Sequence, residues 1–346
     1  MTLCINPYRN LSWTTTGHVT PCNNMTRFPK SNSVTLMKQM PQYQQLLDDN
    51  NNGTNSIFCQ RCWDKESVGL VSKRQTDNEL EQIYSRLDSH YIKIDAAIGD
   101  VCNAACRICG PDSSTMWQKI VPTWDSHHVD STVWDEAMNQ ADHVLQLDFG
   151  GGEPWANAIP EQTALLEKII LLNRQHLVKI RYNTNGSLWP SRLIKLLEQF
   201  RQVEITLSLD DIEDRFEYNR WPLKWSVLQD NINKFVQLQK TSNVKITVNF
   251  TVSVFTWQRA HLFKDWAHAH GLEHINFNIL TDPWIYSIKS LPIEIKNSLP
   301  PTIFDNIVSS TAHNNWKEIF LETTNRLDQQ RNQSFRDTFP ELNNIL

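Results

Sequence analysis

Between residues 91 and 285, segments with a strand-like pattern of apolar and polar positions alternate with segments that have a helix-like pattern. Short apolar and β-branched runs predict strands, and segments with apolar positions three or four apart predict helices. The predicted strands cover residues 91–98, 144–149, 178–183, 203–209, 245–254 and 274–280, and the main helices cover 160–176, 191–200, 223–240 and 259–270. Repeated strand–helix units indicate a parallel sheet with right-handed crossovers. Six strands predict an α/β fold of the partial (β/α)6 TIM type, with a ligand site at the C-terminal strand ends.

The flanking segments have different patterns. Residues 1–90 are polar and weakly periodic, and they contain four of the 7 cysteines. We expect a small Cys-rich segment in which bound metal takes the place of an apolar core. Residues 286–346 are mostly helical in pattern and contain no further strand–helix unit. The sequence therefore predicts an auxiliary metal segment at 1–90, a core at 91–285 and a helical C-terminal extension at 286–346.

Composition excludes several classes of protein. The 346 residues are 40% hydrophobic and include 13 Trp, so the chain has ample material for a core. There are 33 basic and 38 acidic residues, and this balance offers no broad basic field for nucleic acid or an anionic membrane. No apolar run is long enough to span a bilayer, and the start of the chain lacks a signal-peptide pattern. We expect a cytoplasmic protein that binds neither membrane nor nucleic acid.

Three cysteines follow the first predicted strand with the spacing C-x3-C-x2-C. They are Cys102, Cys106 and Cys109. A four-iron cluster ordinarily takes four thiolates, so three thiolates would leave one iron open to a reacting ligand. Zinc with a fourth ligand from elsewhere in the chain is the alternative.

A run of three glycines follows the second predicted strand. The whole chain has only 10 glycines, yet Gly150, Gly151 and Gly152 are adjacent, and Glu153 comes next. Such a run indicates that backbone must approach something closely. Glu153 offers a carboxylate to a cation such as an ammonium group. A tight turn without a ligand is the alternative.

Together, the cysteine loop after the first strand and the G-G-E-P run after the second resemble the radical S-adenosylmethionine (SAM) superfamily. The resemblance spans roughly residues 90–285. The third strand ends in a T-N-G sequence that follows Asn183, similar to the family pattern. The fourth ends in S-x-D, with Asp211 where glycine is usual, and Arg220 lies twelve residues beyond Ser208, as in SPASM-type members.

The resemblance implies a site and a reaction. Cys102, Cys106 and Cys109 would ligate a [4Fe-4S] cluster, and its fourth iron would bind the amino and carboxylate groups of SAM. A reductant such as flavodoxin or ferredoxin would supply one electron, which cleaves SAM into methionine and a 5′-deoxyadenosyl radical that abstracts hydrogen from a substrate. The residues expected to contact SAM are Gly151, Gly152, Glu153, Asn183, Ser208 and Arg220. An ordinary ion pair for Arg220 and a turn hydroxyl for Ser208 are the alternatives.

The four N-terminal cysteines carry a second resemblance. Cys4 is followed by G-x4-C, which ends at Cys22, and later by the C-x2-C pair of Cys59 and Cys62. This spacing is similar to the auxiliary-cluster half-motif of SPASM and twitch domains, placed here before the core. It implies one auxiliary [4Fe-4S] cluster. A structural zinc ion is the alternative, because four thiolates suit either metal.

Two classes of function follow from these motifs. The first is a radical SAM oxidoreductase or transferase acting on a peptide, protein or small molecule, and peptide modification is the commonest theme among SPASM and twitch relatives. The second is a zinc-stabilised interaction protein without catalysis, which would require neither the glycine run nor Arg220. A radical SAM enzyme acting on a nucleoside is a further alternative, although the chain has no basic stripe to support it.

Overall fold

The computed structural model describes residues 4–67, 69, 71–121, 131–304 and 315–343. Eight strands form one sheet in the order β2-β1-β3-β4-β5-β6-β7-β8. The strands are β1 (Asn10–Trp13), β2 (Val19–Thr20), β3 (Ile92–Ala97), β4 (Val144–Gly150), β5 (Lys179–Thr184), β6 (Gln202–Ser208), β7 (Val244–Val252) and β8 (Ile275–Ile279). Among the pairs with a described register, β2 is antiparallel to β1, whereas β1–β3, β3–β4, β4–β5 and β7–β8 are parallel.

Helices alternate with the later strands and also occupy both flanking segments. They are α1 (Asn6–Arg9), α2 (Val34–Gln39), α3 (Pro41–Asn52), α4 (Gln60–Ser67), α5 (Lys73–Leu87), α6 (Thr115–Gln118), α7 (Ser131–Asn139), α8 (Ile159–Leu171), α9 (Ser191–Leu197), α10 (Glu213–Asn219), α11 (Trp225–Thr241), α12 (Ala260–Ala269), α13 (Ile293–Asn297), α14 (Trp316–Arg331) and α15 (Phe335–Thr338). None of the described helices combines the length and the apolar composition needed to cross a membrane.

The strand–helix alternation from residue 91 onward is confirmed. All six predicted strands are present, and their ends lie within two residues of the predicted ones. The four main helices are also present, but α8 ends at Leu171 rather than at 176. Asn173 adopts a φ of 55°, and this left-handed conformation is typical of a residue that ends a helix. Within the described part of residues 286–346, the structure has helices and no strand.

The sheet has eight strands rather than six, because residues 1–90 contribute two that the sequence pattern did not predict. β1 pairs in parallel with β3, with Leu11 opposite Ile94. All four residues of β1 are buried, including the polar Asn10 and Ser12, so the strand has no alternation to reveal it. The segment contains buried apolar side chains such as Trp13, and five helices replace the loop-rich structure that its composition indicated.

The chain divides into two compact units, which we describe separately. Unit 1 comprises Met1–Cys102, Thr123–Asn183 and Pro190–Glu204, and unit 2 comprises Asn103–Pro122, Thr184–Trp189 and Ile205–Leu346. In unit 1, strand residues such as Leu147 and helix residues such as Leu166 are fully buried. In unit 2, Phe235 and Phe250 are fully buried in the same way. The predicted SAM and metal residues are divided between these units.

Candidate functional site

The glycine run in unit 1 brings the end of β4 against the backbone of the following loop. The Gly152 amide donates to the Gly99 carbonyl at 2.9 Å, and the Glu153 amide donates to the Val101 carbonyl at 2.8 Å. A Cβ atom on Gly152 would collide with Val101, and Gly151 has a φ of 108° that favours glycine. The close approach inferred from the sequence is therefore an approach to the loop that leads into Cys102.

Glu153 is buried directly after this turn, with 1% of its surface exposed. Its Oε1 accepts a hydrogen bond from the Trp155 amide at 3.1 Å, which fixes the carboxylate close to its own backbone. Gly151 is exposed and Gly152 is half-buried. Glu153 is thus an oriented carboxylate at the C-terminal end of β4, where the sequence placed the ligand site.

The cysteine triad lies in the loop after β3. Cys102 is half-buried at the end of unit 1, whereas Cys106 and Cys109 belong to unit 2. None of the three forms a disulfide. Burial raises the pKa of the Cys109 thiol to about 12. Burial also raises the pKa of Cys106, and the charge of Arg220 opposes that shift. Both side chains therefore favour the neutral thiol until a metal displaces the proton.

Arg220 lies in unit 2 with its guanidinium directed at two groups. Its Nη2 atom is 2.7 Å from Oδ2 of Asp210, and its Nη1 atom is 3.8 Å from Sγ of Cys106. Both partners of the ion pair are buried, so the pair is shielded from solvent and salt. Arg220 does form an ion pair, as the alternative interpretation expected, but the pair is buried and does not lie on the surface. Asp210, which was not among the predicted site residues, orients Arg220 toward the cysteine loop.

Two of the predicted SAM-binding residues, Asn183 and Ser208, lie at strand ends. Asn183 is an exposed residue of β5, and Ser208 is the half-buried last residue of β6. Two residues beyond Asn183, the buried Asn185 donates to Oδ1 of Asn103 at 2.8 Å, and Asn103 donates to Ser187 at 2.9 Å. This network of hydrogen bonds lies within unit 2, and the sequence pattern did not predict it, although the T-N-G strand end contains Asn185.

The four N-terminal cysteines meet at one cavity in unit 1. Its lining residues are Cys4, Asn6, Pro7, Cys22, Asn24, Met25, Cys59, Cys62 and Arg74. Burial raises the pKa of Cys4, of Cys22 and of Cys59 to about 12 in each case. The spacing therefore identified four side chains that the fold brings to one place.

Amide groups donate to the sulfur atoms of this cavity. The Asn24 side chain donates to Cys62 Sγ at 3.2 Å, and the Asn24 backbone amide lies 3.4 Å from Cys22 Sγ. Asn6 approaches the same Cys22 sulfur at 3.8 Å. N–H donors of this kind stabilise a thiolate over a thiol. No sequence motif pointed to either asparagine.

The described residues contain no group of three or more His, Cys, Asp or Glu side chains arranged to hold a single metal ion. The cysteines are nevertheless the donor type that iron–sulfur clusters and structural zinc use.

Comparison with known proteins gives only distant likenesses. No protein-family model matches the sequence, and no curated protein matches it. Among solved structures, anSMEcpe with bound AdoMet is 19% identical with a TM-score of 0.42, covering 56% of this chain and 54% of that one. The chain thus spans about half the length of anSMEcpe.

Two other solved structures have similar scores. Streptococcus suis SuiB bound to S-adenosylmethionine is 12% identical with a TM-score of 0.42, covering 86% of this chain and 60% of that one. The radical S-adenosylmethionine methyltransferase TsrM from Kitasatospora setae is 16% identical with a TM-score of 0.38, covering 51% and 34%. At TM-scores below 0.5, these likenesses do not establish a shared fold or activity.

Proposed function

We propose that the chain is a radical SAM enzyme with Cys102, Cys106 and Cys109 as ligands of a [4Fe-4S] cluster. The observation that carries the proposal is the position of Arg220, which is held by Asp210 at 2.7 Å and reaches Cys106 Sγ at 3.8 Å. A buried cation beside a cysteine loop is suited to a site that combines thiolates with an anionic ligand. A zinc scaffold requires no such arginine.

The cysteine thiols of the triad are suitable ligands for a [4Fe-4S] cluster. Cys106 and Cys109 are half-buried thiols that become thiolates when metal binds, and no disulfide consumes them. When bound, such a cluster supplies one electron for the reductive cleavage of SAM into methionine and a 5′-deoxyadenosyl radical, which then abstracts hydrogen from the substrate.

The remaining side chains would bind and orient SAM. Nε of Arg220 is buried and makes no hydrogen bond to the described residues, so it can donate to a ligand carboxylate. Glu153 would pair with the ammonium group, and the backbone beside it, at Gly151 and Gly152, would lie along the same ligand. Asn183 and Ser208 would contact the nucleoside part.

An auxiliary [4Fe-4S] cluster at Cys4, Cys22, Cys59 and Cys62 is a separate part of the proposal. The four thiols line one cavity, and Asn24 donates to two of the sulfurs. Four thiolates would leave no open iron, which suits electron transfer or a structural role rather than substrate binding. We infer a peptide or protein substrate from the SPASM and twitch resemblance, and a flavodoxin or ferredoxin as the reductant.

The central experiment is anaerobic reconstitution with iron and sulfide, followed by incubation with SAM and dithionite. We expect a brown protein that releases 5′-deoxyadenosine, whereas Cys106→Ala should release none. Glu153→Ala should weaken SAM binding in calorimetry while its iron content stays unchanged. The matched control is Glu161→Ala, which removes an exposed carboxylate from the first turn of α8 and should change neither quantity.

The alternatives give different results in the same experiment. A colourless protein with zinc at both cysteine groups and no 5′-deoxyadenosine would support an interaction protein and contradict the enzyme. Full 5′-deoxyadenosine production by Cys106→Ala would contradict the assignment of the triad.

A further inference from the structure

Unit 2 buries a positive charge that has no partner of opposite charge among the described residues. Arg331, the last residue of α14, is 5% exposed. Its Nε, Nη1 and Nη2 atoms are all buried, and none makes a hydrogen bond to a described residue. Burial lowers the pKa of Arg331 to about 10, and the nearby charge of Arg107 acts in the same direction. The side chain is therefore still a cation at neutral pH.

The guanidinium of Arg331 packs against two tryptophans that hold the cysteine loop. It lies 4.8 Å from the ring centre of Trp117 and 5.4 Å from that of Trp221. Nε1 of Trp117 donates to the Cys106 carbonyl at 2.8 Å, and the Trp221 carbonyl accepts from the Ala105 amide at 2.7 Å. One tryptophan therefore connects Arg331 to the Cys106 carbonyl, and the other connects it to the Ala105 amide.

The same helix reaches the loop through an apolar contact. Leu327, one turn before Arg331 on α14, forms a buried cluster with Trp117, and Cys109 packs against that cluster. Residues four apart lie on one face of a helix. The face of α14 that carries Arg331 is therefore the face that covers the cysteine loop.

The other buried arginines near this loop are paired. Arg107 forms an ion pair with Asp328, and Arg220 forms one with Asp210. Arg331 has no such partner among the described residues. It is therefore a buried cation in this part of unit 2 that no described carboxylate neutralises. An isolated buried charge is costly, and such a charge is retained where a negative group faces it.

We propose that Arg331 supplies the counter-charge for the metal centre at the cysteine triad and raises its reduction potential. This inference rests on the proposed function. Reduction adds one negative charge to the centre, and a buried cation nearby stabilises the reduced form more than the oxidised form. Arg331 is a positioning residue here, because it acts through charge and need not touch SAM or substrate.

A diffusible carboxylate is the other anion that could pair with Arg331. The three guanidinium nitrogens are inaccessible to solvent, and the two tryptophan rings pack against the group. For a soluble ligand to reach these nitrogens, the surrounding side chains would have to move. A negative centre built into the cysteine loop needs no such movement, and this favours the metal centre.

The test is a redox titration of the full-length reconstituted chain. The readout is the electron paramagnetic resonance signal that SAM perturbs. We expect Arg331→Met to lower the ratio of reduced to oxidised centre about tenfold at a fixed potential, equivalent to about 59 mV for one electron. Arg331→Lys, which keeps the charge, should stay near the wild-type value. Arg326→Met is the matched control, since it removes an exposed arginine from the same helix.

Each outcome decides the matter. An unchanged reduction potential in Arg331→Met would overturn the inference, even where that variant is less stable or binds substrate more weakly. If Arg331→Met does not fold, Arg331→Gln removes the same charge and is held to the same expectation. A wild-type chain without any SAM-responsive cluster would instead overturn the proposed function, so the two failures are distinguishable.

Discussion

Nε of Arg259 donates to Oδ2 of Asp211 at 3.0 Å, although Asp211 occupies a backbone conformation that favours glycine. The φ of Asp211 is 97°, in the region that side chains disfavour. Its Oδ1 also accepts from the Ile212 amide at 2.9 Å. These two carboxylate interactions therefore offset part of the strain of the Asp211 backbone conformation.

Removing Arg259 should make the stability of the folded protein depend on pH, because Asp211 would be left buried without its partner. Burial raises the pKa of Asp211, while Arg259 opposes the shift, so Arg259→Met should raise it further. A raised folded-state pKa favours the protonated form, which means that stability is retained below the ordinary value near 3.8 and is lost as pH rises through the raised value. We expect Arg259→Met to lose about 3 kcal/mol at neutral pH and less in acid.

Thermal unfolding of the wild-type chain and of Arg259→Met, each at mildly acidic and at neutral pH, measures how the loss of stability changes with pH. Arg192→Met is the control, because Arg192 pairs with Glu167 in a largely exposed ion pair. Its effect should be below about 1 kcal/mol at each pH. An Arg259→Met deficit that does not change with pH would contradict the role given to Asp211.

Gly152 should tolerate no side chain. Gly152→Ala would place a Cβ atom against the backbone of Val101, which cannot move without disturbing the loop before Cys102. We expect a loss of about 3 kcal/mol in urea unfolding, together with reduced iron uptake. Gly150→Ala is the matched control, because a Cβ atom there has nothing within 4 Å. Equal effects of the two substitutions would show that steric contact with Val101 is not the reason for glycine.

The sequence predicted the parts of the fold that have a regular period. Strands such as β7 have long alternating patterns, and residues 244–252 were located within two positions. β1 was missed because Asn10 and Ser12 are polar yet buried, and the hydrogen bond from Asn10 to Asp95 that permits this spans 85 positions. Long-range pairing of polar groups has no local signature, so it appears only in the folded chain.

The same distinction applies to the candidate site. Cysteine spacing and the glycine run identified residues whose roles depend on neighbours in sequence. Asp210 pairs with Arg220, Asn24 donates to two of the N-terminal cysteines, and Arg331 packs against Trp117 and Trp221. None of these contacts could be inferred from spacing. A buried charge such as Arg331 is invisible in a sequence because arginine is ordinarily a surface residue.

Asp210 should be needed to orient Arg220. Asp210→Asn would leave the Arg220 cation buried without its charged partner, at a cost of about 3 kcal/mol in unfolding free energy. We also expect weaker SAM binding in calorimetry with unchanged iron content, because Arg220 would no longer be fixed beside Cys106. The control is Lys224→Met, which breaks the more exposed pair with Glu217 and should cost less than about 1 kcal/mol. Unchanged SAM affinity in Asp210→Asn would contradict this role.

The N-terminal cysteines can be studied separately in a variant with alanine at Cys102, Cys106 and Cys109. That variant should still bind about four irons per chain and give a cluster signal that SAM does not change. One bound zinc ion and no colour would contradict the auxiliary cluster and leave the proposal for the triad intact. Adding Cys59→Ala and Cys62→Ala should remove the remaining iron.

Loss of that metal should loosen only part of the N-terminal segment. Composition alone indicated that all of residues 1–90 would depend on metal, but Leu11 and Trp13 are buried in β1, which pairs with β3. Cys59 instead directly precedes α4, and Cys62 is the only buried residue of that helix. We therefore expect limited proteolysis of the five-alanine variant to cut near α4 while β1 stays protected, because local opening follows local burial. The three-alanine variant is the control and should resist cleavage at both places. Early cleavage within β1 would show that metal holds the whole segment together.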